Sequence, residues 1–312
     1  TAVGRLTSPV YLVGESYGGF RVAKLAHALA TDDGIAPAGV IMVSPVIEFS
    51  LMSGGPLDVL PWALRLPSYA AAKRGAAALA PNGLTDVENF AMHDYLVALA
   101  AGPRPSDDAA ALYRTLAQLT GIDEARIARW NGRIPVYAYV RDLHGRQGRI
   151  VSRYDAGVSG VDPEPLGERG GGDDPVLDAS IAPFTSAFVA YARDELGYKT
   201  ELRYVLLSRE VGRHWDWQTG HGPDNSLGAS SALSRALALD PRLKVMIAHG
   251  VTDLTTPYMM SRYIKDHMPE ALGKRIALKL YPGGHMLYLR SQSRHELRND
   301  AASFYGGGEN GG

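Results

Sequence analysis

The segment "PVYLVGESYGGFRVAKLAHALA", residues 9–30, holds a serine between two glycines where a strand pattern changes to a helix pattern. Val10 to Val13 is a short apolar, β-branched run that predicts a buried strand. From Tyr17 to Thr31 the apolar residues follow helical spacing. The pentapeptide GESYG, residues 14–18, is therefore a G-x-S-x-G sequence in the strand–turn–helix context of a nucleophile elbow.

Such an elbow makes specific demands on its residues. The turn is so tight that Gly14 and Gly18 are both expected to be obligatory, because side chains there would collide. Ser16 is expected to adopt a strained backbone conformation that lifts its hydroxyl clear of the sheet edge. The alternatives are a serine in a glycine-rich helix-capping turn or in a phosphate-binding loop, so the motif needs partners elsewhere in the chain.

The surrounding pattern predicts an α/β fold with a mostly parallel sheet flanked by helices. "AGVIMVSPV" supplies a second buried strand at Val40 to Val43, and strand–helix–strand within so short a stretch is a βαβ unit. The α/β pattern resumes at Leu243 with a strand, a helix, a strand and a last helix. We expect an α/β-hydrolase core with a large, mainly helical cap insertion. The predicted division is residues 1–50 for the first part of the core, 51–228 for the cap, 229–305 for the second part of the core, and 306–312 for a disordered tail.

Within the insertion two local expectations can be stated. "PVYAYV", residues 135–140, has the pattern of a strand, whereas the Gly- and Asp-rich residues 157–175 predict a flexible surface loop. The aromatic stretch "HWDWQTGHG", residues 214–222, is predicted to anchor the insertion to the core or, alternatively, to line a side-chain pocket.

The composition excludes several classes of function. The 312 residues carry a net charge of −1, which does not favour nucleic acid or an anionic membrane surface as a partner. No apolar run approaches the roughly 18 residues of a membrane span. The chain has no cysteine, so disulfides and thiolate chemistry are excluded. No histidines have the spacing of a zinc site, and we expect neither a metal nor a cofactor.

A nucleophilic serine needs a general base, and the base needs an acid that orients it. In this architecture the order along the chain is serine, acid, histidine, with the last two after late strands. "KVMIAHGVTDLTTP" places Asp253 after one strand, and "IALKLYPGGHMLY" places His285 after the next. Ser16, Asp253 and His285 are thus the predicted triad. His249, near Asp253, is the rival for the base.

With these residues in place, the sequence resembles the serine carboxypeptidase family of α/β-hydrolases, and particularly its bacterial members. The similar stretches are "VGESYGG", "HGVTDLTTPY", "YPGGHMLY", and "REVGRHWDW" followed by "NSLGASSALSRALALDPRLKVMIAHG". The resemblance implies hydrolysis of the C-terminal bond of a peptide with a free C-terminus. It also implies that the Tyr17 backbone N–H is an oxyanion donor and that Glu15 helps recognise the substrate carboxylate, which requires a protonated carboxyl and suits acidic pH.

The sequence departs from the family at its start. The family's Trp-Asn-Gly-Gly-Pro-Gly loop, which supplies the second oxyanion N–H, has no counterpart here, and few residues precede the elbow strand. We therefore expect the chain to begin inside a longer protein and to be catalytically weak or incompetent without that part. An esterase or acyltransferase on the same scaffold is the alternative activity. By resemblance alone, the protein is expected to be exported. The oligomeric state stays open.

Overall fold

A computed structural model of the chain describes residues 8–52, 55, 57–102, 107–165, 173–216 and 227–306. Within these ranges, no helix combines the length and the apolar character that crossing a bilayer requires.

Four parallel strands form the central sheet. They are β1 (Val10–Glu15), β2 (Pro37–Val43), β5 (Lys244–Gly250) and β6 (Ile276–Tyr281), in the spatial order β1-β2-β5-β6. Two short antiparallel strands of the intervening segment, β3 (Arg149–Val151) and β4 (Ser159–Val161), form a separate hairpin. The predicted α/β class and its parallel sheet are confirmed.

Helices lie on both faces of the sheet. Those of the core are α1 (Tyr17–Thr31), α10 (Ser230–Leu239), α11 (Tyr258–Asp266), α12 (Glu270–Gly273) and α13 (Ser291–Gly306). Because side chains alternate along a strand, Val40 and Met42 of β2 pack with α1, α10 and α11, while Ile41 and Val43 pack towards α13. Parallel strands covered on both faces appear in the sequence as continuous apolar runs, which explains why these strands could be predicted from the sequence.

The segment between β2 and β5 is mainly helical and has an apolar core of its own. Its helices are α2 (Leu60–Arg74), α3 (Thr85–Phe90), α4 (Leu96–Ala101), α5 (Asp107–Thr120), α6 (Glu124–Arg129), α7 (Val136–Asp142), α8 (Leu177–Asp194) and α9 (Arg209–His214). Tyr69, Tyr95 and Tyr139 are nearly inaccessible in that core. Leu254, which follows Asp253, is buried in the same cluster and so joins it to the sheet edge.

Three local predictions for the insertion and the tail need correction. "PVYAYV" is not a strand but most of α7, because Pro135 precedes the first turn and Tyr139 is buried against Tyr69, with the rings stacked at 4.0 Å. The predicted loop 157–175 contains β4, and its residues 166–172 lie outside the described ranges. Gly306, assigned to the tail, is the last residue of α13, whereas 307–312 lie outside the described residues.

Candidate active site

The elbow has the backbone geometry that its sequence predicted. Ser16 lies directly after β1 and before α1, with φ 55° and ψ −117°. A positive φ is rare for a residue with a side chain and is found preferentially at functional sites. The Ser16 N–H donates to the Val43 carbonyl at 2.9 Å, and the Ser16 carbonyl accepts from Gly19 and Val46. These bonds fix the strained turn to the end of β2.

The expectation that both motif glycines are obligatory holds at only one of them. A Cβ on Gly14 would collide with the Gly18 carbonyl, so this position admits only glycine. A Cβ on Gly18 itself would meet no atom within 4 Å, so the prediction is wrong there. The second crowded position is Gly19, whose Cβ would collide with Pro45. The tight packing after Ser16 therefore falls one residue later than the motif predicted.

All four parallel strands end in polar residues at the same edge of the sheet. Ser16 follows β1, Ser44 follows β2, Asp253 lies three residues beyond β5, and His285 lies four residues beyond β6. In parallel α/β sheets the carboxyl edge is where ligands bind, because successive loops converge there. The structure thus brings the three predicted residues to one edge.

Asp253 and His285 form a buried pair. His285 Nδ1 lies 2.8 Å from Asp253 Oδ2, and the two residues are 4% and 0% exposed. The other carboxylate oxygen, Oδ1, accepts the backbone N–H groups of Thr255 at 2.7 Å and Thr256 at 2.9 Å. Asp253 is therefore held as an acceptor on both sides, which directs the Nδ1 proton towards it and leaves His285 Nε2 as the nitrogen available for a substrate-side proton.

The electrostatics of the pair favour its charged form. Burial alone would raise the pKa of Asp253, but the nearby His285 charge and the hydrogen bonds it accepts outweigh burial and hold that pKa below its ordinary value. For His285, burial opposes the protonated form, but the charge and hydrogen bond of Asp253 dominate and raise its pKa above the ordinary value. A raised histidine pKa means a stronger base.

Two polar residues that the sequence analysis did not identify support the pair. Ser44, fully buried with φ 43°, donates from its hydroxyl to the His285 carbonyl at 2.8 Å. The Thr256 hydroxyl lies within 3.0 Å of His285 Nδ1, Asp253 Oδ2 and the Ser44 carbonyl. Ser44 could have been predicted to lie at the site, because it directly follows a central strand. The contacts of Thr256 could not, because they depend on the conformation of its loop.

Ser16 and His285 lie at the same edge of the sheet without a direct hydrogen bond. In the described part of the chain, no hydrogen bond joins the Ser16 hydroxyl to His285. Both residues instead bond to the end of β2, Ser16 to Val43 and His285 to Ser44. Serine–histidine bonds are often long without substrate and shorten in the complex, so this arrangement is compatible with a catalytic pair.

Glu15 links the elbow to the histidine loop. The Tyr288 hydroxyl lies 2.9 Å and 3.0 Å from the two Glu15 carboxylate oxygens and donates to them. Glu15 is exposed as a residue on the edge strand, yet the protein removes enough water to raise its pKa. The bond from Tyr288 and the charge of His285 act in the opposite direction. The predicted role of Glu15 as a donor thus competes with its role as an acceptor for Tyr288.

The rival base, His249, is close enough to Asp253 and His285 for their charges to affect its pKa, but its hydrogen bond is made elsewhere. It is fully buried on β5, and its Nε2 lies 2.8 Å from the Ser261 hydroxyl, while its Nδ1 has no partner. Burial lowers its pKa to about 4. His249 does not bond Asp253 in the described structure, so geometry favours His285 as the base.

Tyr17 and the aromatic stretch meet beside the elbow. Tyr17, the predicted oxyanion donor, is the first residue of α1, and its ring packs edge-on against Trp215 at 5.5 Å. This contact agrees with the anchoring interpretation of "HWDWQTGHG". Trp217 and His221 lie outside the described residues.

Within the described ranges, no group of three or more His, Asp or Glu side chains is arranged to hold a metal ion. Comparisons with protein-family models, with curated proteins and with solved structures gave no match for this chain. The interpretation of the site therefore depends on its own geometry and on the quoted motifs.

Proposed function

We propose that this protein is a serine hydrolase of the serine carboxypeptidase type, in which Ser16, His285 and Asp253 transfer an acyl group to water. The observation that carries the proposal is the buried 2.8 Å bond between Asp253 and His285, formed at the sheet edge where Ser16 adopts its strained conformation. A buried histidine oriented by a carboxylate near a strained serine is the arrangement that acyl transfer requires.

In this mechanism His285 Nε2 removes the Ser16 hydroxyl proton while Oγ attacks the scissile carbonyl carbon. The carbonyl oxygen becomes an oxyanion, stabilised by the Tyr17 N–H at the positive end of α1. The protonated His285 then gives its proton to the leaving amine, and the C–N bond breaks to leave an ester on Ser16. Water, deprotonated by His285, hydrolyses that ester and regenerates the serine. Asp253 stabilises the imidazolium in both halves.

The proposed substrate is a peptide with a free C-terminus, and Glu15 is the residue that would distinguish it. A carboxyl group can donate to a substrate carboxylate only when it is protonated. Partial burial raises the pKa of Glu15 and so increases the protonated population at mildly acidic pH. This supports a carboxypeptidase that works best in acid, with the mainly helical insertion as its cap.

An esterase or acyltransferase on the same triad is the second candidate. The observation that favours it is the Tyr288 hydroxyl, which donates to Glu15 and so occupies the carboxylate as an acceptor. If that bond persists with substrate, it favours the ionised form of Glu15, which cannot donate to a substrate carboxylate, and an uncharged ester would be preferred.

A fluorophosphonate probe tests the proposal, because it labels an activated serine whatever the natural substrate. We expect the wild-type chain to be labelled, Ser16→Ala to be silent, and Ser303→Ala, which removes an exposed hydroxyl on α13, to behave as wild type. Absence of labelling in the wild type, or labelling that survives Ser16→Ala, would contradict the proposal.

The two substrate classes are then separated with Glu15→Gln. Glutamine donates hydrogen bonds at every pH, so we expect this variant to keep its activity on peptides with a free carboxylate to higher pH than the wild type does. C-terminally amidated peptides serve as the matched control. Equal rates on amidated and free peptides, with faster turnover of simple esters, would favour the esterase.

A further inference from the structure

The turn between β3 and β4, residues 152–158, lies against both loops that carry the acid and the base. We name it the hairpin turn. It belongs to the insertion and is far in sequence from the loop that carries Asp253. Asp155 of the turn and Thr252 of that loop, which are hydrogen-bonded, are 97 positions apart. The mechanism proposed above does not use it.

The hairpin turn holds the histidine loop through its backbone and through an aromatic ring. The Tyr154 carbonyl accepts the backbone N–H of His285 itself, at 2.5 Å. The Tyr154 ring packs edge-on against the imidazole, with centroids 5.4 Å apart and planes at 87°. A Cβ on Gly284 would collide with the Tyr154 carbonyl and the Asp155 backbone, so only glycine permits this approach.

The same turn also holds the acid loop. The Arg153 carbonyl accepts the N–H of Leu254 at 3.2 Å, directly after Asp253. The Ala156 N–H donates to the Thr252 carbonyl at 3.0 Å, directly before it. The two residues that flank Asp253 are thus both bonded to the insertion.

One side chain joins the two loops. Asp155 is 7% exposed, and its Oδ1 accepts the Thr252 hydroxyl at 2.6 Å. Its Oδ2 accepts Arg290 Nε at 3.0 Å and Nη2 at 2.8 Å, from the residue that precedes α13. A buried carboxylate with an oxygen on each loop fixes their separation, because losing Arg290 would leave the carboxylate charge unpaired and losing Thr252 would break a hydrogen bond to that charge.

We propose that Asp155 is a positioning residue, through which the insertion sets the geometry of the Asp253–His285 pair. Among the described residues, the Asp155 side chain makes no hydrogen bond to Ser16 or to the His285 ring, so it acts by fixing the two loops. The catalytic part of this inference rests on the proposed function. The insertion then forms part of the catalytic framework.

The experiment compares Asp155→Asn with Asp162→Asn. Asp162 is a matched control, because it is a buried aspartate of the same insertion, paired with Arg141 at 2.9 Å, and its ion pair is not made to the acid or histidine loop. Asparagine keeps the size of Asp155 but removes the charge that Arg290 requires. If both aspartates only stabilise the insertion, both variants should behave alike.

The first measurement is amide hydrogen exchange, which does not depend on activity. In Asp155→Asn we expect at least tenfold faster exchange in residues 251–256 and 283–290, and wild-type exchange there in Asp162→Asn. Unchanged exchange in Asp155→Asn, or equal acceleration in both variants, would overturn the inference.

The second measurement is the rate of fluorophosphonate labelling against pH. Loosening the Asp253–His285 bond removes an influence that raises the His285 pKa, so the acid limb of the profile should move to lower pH in Asp155→Asn, with labelling reduced tenfold to a hundredfold. A loss of folded protein alone would reduce the labelling rate at every pH without shifting the pH at which labelling begins to rise. Asp155→Asn/Arg290→Gln should be no slower than Asp155→Asn, because the two residues act as one pair.

The outcomes separate the two proposals. Absence of labelling in the wild type overturns the proposed function and the catalytic role of Asp155 together. Normal labelling of the wild type with an unshifted profile in Asp155→Asn overturns the positioning role alone.

Discussion

Replacing Asp253 by asparagine removes the charge that the buried imidazolium needs while preserving the shape of the side chain. The carboxylate is fully buried, 2.8 Å from His285 Nδ1, and held by two backbone N–H groups that asparagine cannot satisfy with its NH₂ end. The variant therefore loses a favourable charge pair and gains a donor where the site is built for an acceptor.

The size of the effect follows from the geometry. Two unit charges about 4 Å apart interact by about 4 kcal/mol at an effective dielectric constant of about 20. Because 1.36 kcal/mol is tenfold in rate, that loss corresponds to about 10³-fold. Loss of the correct imidazole tautomer adds to it, and comparable substitutions in serine proteases reduce turnover by about 10⁴-fold. We expect the rate of Ser16 labelling to decrease by a factor of about 10³ to 10⁴ in Asp253→Asn.

The pH profile gives a second, independent readout. His285 acts as a base only when it is neutral, so labelling should rise with pH through its raised pKa. Removing the Asp253 charge leaves burial as the dominant influence, and burial lowers a histidine pKa. The weak residual labelling of Asp253→Asn should therefore persist to lower pH than that of the wild type.

The assay is the initial rate of fluorophosphonate labelling at several pH values, with thermal unfolding measured in parallel. Asp266→Asn, which removes an exposed carboxylate at the end of α11, is the matched control and should label as wild type. Labelling of Asp253→Asn within threefold of wild type would refute the triad. The base would be reassigned if His249→Gln, with the fold intact, abolished labelling instead.

Two further predictions concern stability. Gly14→Ala should destabilise the fold by about 1–3 kcal/mol, because the added methyl group would overlap the Gly18 carbonyl. Gly18→Ala should change the melting temperature little, because no atom lies within 4 Å of the added methyl group. Equal effects on the melting temperature would contradict this difference in packing. His249, with a folded pKa of about 4 against an ordinary 6.5, stays neutral in the fold, so the unfolded chain binds its proton first as pH falls. This contribution to the free energy of unfolding is complete above pH 6.5 and is lost as the pH falls through 4, a change of about 3 kcal/mol. Denaturant titrations at several pH values should therefore show that the free energy of unfolding falls more steeply with decreasing pH in the wild type than in His249→Gln. An equal dependence on pH in the two proteins would exclude this contribution.

The strands of the central sheet could be predicted from the sequence for a physical reason. Strands buried on both faces are continuous apolar runs, and the polar residues that follow them converge on one edge, so the location of Ser16, Asp253 and His285 at that edge could be predicted from their order and context. The elbow geometry followed because Gly14 admits no side chain.

The insertion was less predictable because its local patterns are ambiguous. "PVYAYV" alternates well enough for a strand, yet a short apolar run cannot be told from a buried helix turn by periodicity alone. What decides it is the stack of Tyr139 on Tyr69, a contact between residues 70 positions apart. The hairpin turn poses the same difficulty, since nothing near Asp155 in sequence indicates Arg290 or Thr252 as its partners.

The proposed triad consists of two parts that the fold fixes separately. The β1–α1 turn and its bond to Val43 fix the nucleophile, whereas Thr256, Ser44 and the hairpin turn fix the acid–base pair. In the described part of the chain, the two parts are connected at the end of β2, where Val43 and Ser44 are adjacent, and by the bond between Glu15 and Tyr288. We therefore expect the separation of Ser16 and His285 to depend on these connections. Variants that loosen the pair should leave the elbow strained and the serine present, and lose only its activation.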